Sequence, residues 1–96
     1  MRKSNASSLG EAINHLIDHF RLRDRLNEVR LKDAWGSRMG NAISNRTTDL
    51  KIKNEVLFIS VSSAPLREEL LFQKEQIREM MNKELEGEFI KDVVIR

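Results

Sequence analysis

The stretch "TTDLKIKNEVLFISVS", Thr47 to Ser62, decides whether this chain is all helix or a mixture. On either side of it apolar residues recur every three or four positions; inside it the period drops to two. Leu50 and Ile52 fall on one side and Lys51 and Lys53 on the other, the pattern of a half-buried strand with one wet face. Asn54-Glu55 reads as a short turn, although it lacks the glycine that marks the strongest hairpins. Val56 to Ser62 follows as a second strand, β-branched and aromatic. It is apolar on both faces, with Leu57, Ile59 and Val61 on one and Val56 and Phe58 on the other, so it is expected to be the more buried of the pair.

Downstream, Ser62 or Ser63 caps a helix, Pro65 suits its first turn, and Glu68 and Glu69 complement its dipole. Leu66, Leu70, Ile77, Met81 and Leu85 form its inward stripe, and Gly87 is expected to end it in a left-handed conformation. Phe89 to Ile95 reads as a third strand. Upstream, Ser8 and Glu11 form a capping box, and Leu9, Ile13, Leu16, Ile17 and Phe20 predict a helix over about 8–20. A second helical pattern covers about 24–45, with a break near Val29–Leu31 as an option. The order α-α-β-β-α-β defines an α+β fold in which the last strand returns across a helix to join the first two.

The chain has 96 residues, which suits one domain: a flexible N-terminus over 1–7 and a single globular unit over 8–96. Apolar residues make up 40% and charged residues 33%, the balance of a soluble chain. Cysteine is absent, which excludes disulfides, thiolate zinc sites and cysteine nucleophiles and fits a reducing compartment. No signal-peptide or membrane-spanning run is present, so a cytoplasmic location is expected.

Trp35 stands next to glycine. Gly36 and Gly40, four apart, stack on one side of a helix, and each costs about 1 kcal/mol relative to alanine. They are expected to form a bare strip through which this helix approaches another backbone, with Trp35 driven into the core and its indole N–H bonded. The alternative is that Gly40 marks a kink.

Charge is uneven along the chain. Residues 1–50 hold nine Lys/Arg against six Asp/Glu, and residues 51–96 hold eight against nine. Arg21, Arg23, Arg25, Arg30 and Lys32 crowd one stretch. Together with Arg38, Arg46, Lys51 and Lys53 they are the candidate phosphate-binding surface, low in sequence specificity and steep in salt dependence. A merely solvated helix face is the competing explanation. Partners of that surface would be single- or double-stranded DNA, or RNA.

Catalytic chemistry finds little support. His15 and His19 share a helix face but lack a third ligand, so no metal site is expected. The serines lack a Gly-x-Ser-x-Gly elbow, no phosphate-cradling glycine loop exists, and no cofactor or small-molecule substrate is implied. The alternative to nucleic-acid binding is a protein-interaction adaptor using the exposed sheet edge or the stripe Leu9, Ile13, Leu16 and Phe20. That stripe is expected to face the domain's own core first.

Several of these residues also resemble a known family. Trp35, Met39, Gly40 and Ile43 match the Trp-x(3)-Met/Val-Gly-x-x-Ile signature of the DciA-like family. The similarity continues through Arg46-Thr47-Thr48, the hairpin and Ser62-Ser63-Ala64, Glu69-Leu70, and Met81 to Gly87, covering about residues 9–96. The resemblance implies a K-homology-like domain, a role in bacterial DNA replication, and contact with the replicative helicase and nucleic acid. It does not carry over a Gly-x-x-Gly backbone clamp, because Gly36 and Gly40 are separated by three residues inside a helical pattern. Nor does this sequence show the long flexible extension of some members, so activity that depends on one is not expected.

Overall fold

A computed structural model describes residues 4–96, with side chains from residue 8 onward. Of the expected N-terminal tail over 1–7, residues 1–3 lie outside the described residues and residues 4–7 are the start of the first helix. The chain forms α1 (Ser4–Met39), α2 (Asn41–Ser44), β1 (Thr47–Lys53), β2 (Val56–Val61), α3 (Ala64–Leu71), α4 (Lys74–Leu85) and β3 (Asp92–Ile95). The sheet order is β1-β2-β3, antiparallel between β1 and β2 and parallel between β2 and β3. The α+β class and the small mixed sheet stand as the sequence implied.

The two expected N-terminal helices are one. Between Phe20 and Asp24 the chain has Arg, Leu and Arg, good helix formers with no glycine or proline to stop them. α1 therefore runs on, unbroken at Val29–Leu31, until Gly40, whose φ of 84° ends it. Ser8 is consequently an interior position and not a cap. Gly40 is the break rather than half of a packing strip. A Cβ at Gly40 would meet nothing, and one at Gly36 would meet only Ser44 Oγ at 3.6 Å. The expected glycine-lined approach to the sheet does not occur. Trp35 is nonetheless anchored as expected, 2% exposed, with Nε1 donating to Thr47 Oγ1 at 2.8 Å. Thr47 in turn donates to the Ile43 carbonyl at 2.9 Å, tying α1, α2 and β1 together.

The core lies between the helices and one sheet face: Leu31 and Trp35 from α1; Leu50, Ile52, Leu57, Ile59 and Val61 from the hairpin; Val93 and Ile95 from β3. Leu66, Leu70, Ile77, Met81 and Leu85 complete it, the inward stripe read from spacing alone. That stripe belongs to two helices. After Leu70 the position one turn on is Lys74, so no apolar anchor holds the chain against the core, and it turns at Phe72–Gln73, leaving Phe72 88% exposed.

The C-terminal cap of α4 is also displaced. Glu86, not Gly87, takes the left-handed conformation at φ 60°. Gly87 is needed for another reason: a Cβ there would lie 2.7 Å from the Phe89 ring. The expected third strand loses its first three residues. Ile90 is held by the buried Asn82 amide, which donates to the Ile90 carbonyl at 2.9 Å and accepts from its N–H at 2.8 Å. A side chain thus replaces a sheet neighbour there.

Candidate nucleic-acid interface

Among the described residues no helix lies on the second face of the sheet. Alternation places Asp49, Lys51 and Lys53 of β1 there, opposite Ser60, Phe58 and Val56 of β2, with Asp92 and Val94 of β3 beyond. Lys51 and Lys53 are exposed and Phe58 half-buried. The Arg96 guanidinium sits 4.6 Å from the Phe58 ring centroid, a cation–π contact that presents charge beside an aromatic. Lys51, Lys53, Phe58 and Arg96 line one shallow depression. Lys53 also faces a second one, at the α1–hairpin junction, with Arg21, Arg25, Asp24 and Glu28. One lysine thereby joins two basic clusters into a continuous strip.

The nine sequence candidates separate accordingly. Arg21, Arg25, Lys51 and Lys53 lie on this strip, and Lys32 lines a neighbouring hollow with Trp35, Thr47 and Asp49. Arg46 is exposed and donates to the Ala42 carbonyl at 3.1 Å, closing α2. The other three are engaged elsewhere. Arg23 lies between two rings, 4.9 Å from the Phe20 centroid and 5.1 Å from that of Phe89, so it is a packing residue. Arg38 clamps Glu84 Oε1 with Nε at 3.0 Å and Nη2 at 2.6 Å. Arg30 donates to the Glu84 carbonyl at 2.7 Å, against the negative end of α4. Both hold α4 against α1. Sequence proximity grouped Arg21, Arg23 and Arg25, but a helix turns 100° per residue and carries the middle one onto the buried side. Arg96 was missed because nothing local marks it; only the parallel pairing of β3 with β2 brings it to Phe58.

Acidic groups temper the strip. Lys51 Nζ is 3.9 Å from Asp49 Oδ2. Burial raises the Asp24 carboxyl above its ordinary value; Arg23 pulls it down, and Glu28 and Glu55 push it up again. Glu28 has a structural task, its Oε2 accepting from the Ile52 N–H at 2.8 Å, and Asp49 Oδ1 accepts from the Leu50 N–H at 2.9 Å. Both amides lie on the outer side of the edge strand β1. That edge is therefore occupied by carboxylates and does not offer the free ladder expected of a strand-docking site.

Among the described residues no group of three or more His, Cys, Asp or Glu is placed to hold a metal, and no helix is long and apolar enough to cross a membrane.

Fold and surface together define a class: a small α+β domain with one face of a three-stranded mixed sheet closed by helices and the other open and basic. The chain belongs to the DciA family, for the model described as "Dna[CI] antecedent, DciA" matches residues 8–95. That family is associated with replicative helicase loading in bacteria and is not a catalytic one. Comparison with curated proteins and with solved structures returns no match.

Proposed function

We propose that this protein is a non-enzymatic accessory factor of the replicative helicase that binds nucleic acid through its basic strip, working in the cytoplasm. The observation that carries this reading is the convergence of Arg21, Arg25 and Lys53 on one cleft, continuous through Lys53 with Lys51, Phe58 and Arg96. Among the described residues Arg21, Arg25 and Lys53 make no ion pair, so their charge is available to phosphates. Phosphate contacts of this kind bind with little regard to sequence, and the Arg96 guanidinium lying over the Phe58 ring offers a single stacking position. Single-stranded DNA fits best, because a base can stack on that guanidinium only when unpaired.

The test is a titration of single-stranded and duplex DNA at two salt concentrations with the R21E/R25E/K53E variant beside the parent. Each lost phosphate contact lowers the salt slope by about 0.7–0.9, so the triple variant should lose about 2 units of slope. An unchanged affinity and slope would refute the strip. The second reading, an adaptor that touches the helicase without nucleic acid, draws on the exposed Leu22, Leu26 and Val29 on the outer side of α1. Binding to the helicase with no DNA binding by the parent would favour it.

A further inference from the structure

The molecule measures 61 × 24 × 20 Å, because α1 extends well past the body it packs on. At 100° per residue, Leu9, Ile13, Leu16, Phe20, Asn27 and Leu31 fall within a sector of about 60°. Asn27 and Leu31, at the C-terminal end of that line, are buried against the sheet and α4. Leu9, Ile13, Leu16 and Phe20 are 64, 49, 54 and 44% exposed, and Ile17 beside them 41%. The core-facing stripe expected from sequence is thus only half covered by its own domain.

We infer that the bare half is covered by the same segment of a second copy, paired antiparallel about an axis near Asn14–His15. Leu9, Ile13, Leu16 and Phe20 are spaced four, three and four, the seam of a coiled coil. The positions flanking that seam are Gly10, Ala12, Ile17 and His19, so self-pairing brings no carboxylate or lysine against its like. Glu11 and Asp18 point to the opposite side of the helix. A free helix of this length is marginal in water, and Gly10 weakens it further, so it needs a packing partner.

The body fixes the direction. Each body lies on the seam side of its own helix, so a parallel pair would drive the two bodies into the same space. Antiparallel, the bodies sit at opposite ends, and Leu9 of each incoming helix comes opposite Phe20, at the edge of the Phe20–Arg23–Phe89 stack. Five half-exposed side chains per copy would bury on the order of 800–1,000 Å² in total, the low end for a specific interface, so a micromolar dimer is expected.

Sedimentation equilibrium of the full chain tests this, independently of nucleic acid. The parent should approach twice its 11.2 kDa mass at roughly 100 μM, and I13E/L16E should stay monomeric with Trp35 fluorescence unchanged. The chain has no cysteine, so single replacements report the direction. L9C mixed with F20C should form a mixed disulfide, while neither cross-links alone. A monomeric parent at that concentration, or L9C cross-linking to itself as fast as the mixture, would overturn the proposal.

Discussion

The two halves of α1 carry one stripe and meet two different fates. In the C-terminal half Leu31 and Trp35 are 0 and 2% exposed, closed over by the hairpin and α4. In the N-terminal half the same helix face stands about half exposed. Periodicity therefore says which residues share a side, and only the rest of the chain says what covers that side. The body has just enough sheet and helix to cover about half of a 36-residue helix.

The sharpest contrast is stability. Leu31→Ala should cost about 3–4 kcal/mol in denaturant unfolding, because it opens a cavity in a closed core. Leu16→Ala, measured in dilute solution, should cost less than about 0.5 kcal/mol. A similar cost at both positions would erase the distinction between the halves. Next in size, Asn82→Ala should cost about 2 kcal/mol, since it strands the buried N–H and carbonyl of Ile90. Trp35→Phe, which removes the indole's five-membered ring with its bond to Thr47 and leaves a small cavity, should also cost about 2 kcal/mol. At the hairpin turn a gain is expected. Asn54 and Glu55 form a two-residue hairpin turn with φ of 52° and 67°, so Glu55→Gly should stabilise by about 0.5–1 kcal/mol.

A pH dependence follows from Asp24. Its carboxyl is raised in the folded protein, so the ionised form opposes folding above the ordinary carboxylate range. That cost disappears as pH falls through the raised value into the acid range. Asp24→Asn should therefore stabilise the domain slightly at pH 7, with the gain vanishing near pH 3, a difference that thermal melts at the two values would read.

How much of this was legible beforehand differs by element. The hairpin was, because its period-two alternation and apolar second strand leave few options. The inward stripe Leu66, Leu70, Ile77, Met81 and Leu85 was, because it follows helical spacing. The turn between α3 and α4 was not, since it reflects a missing apolar anchor near Lys74 and not a glycine or proline. Gly40 was legible as a glycine of consequence, yet whether it packed or broke the helix depended on φ. Of the candidate residues, the outward placement of Lys51 and Lys53 followed from strand alternation, whereas Arg23 packs between two rings and Arg30 and Arg38 reach across to the end of α4. Their partners, Phe89, Glu84 and Glu86, lie more than 45 positions away in the chain.

The most direct measurement is amide hydrogen exchange along α1 at low and high protein concentration. Residues 27–36 should be protected to the level of global unfolding at both, and residues 9–20 only at the higher concentration. Equal protection of residues 9–20 at every concentration, or fast exchange in 27–36, would contradict the division of α1 into a covered and an uncovered half.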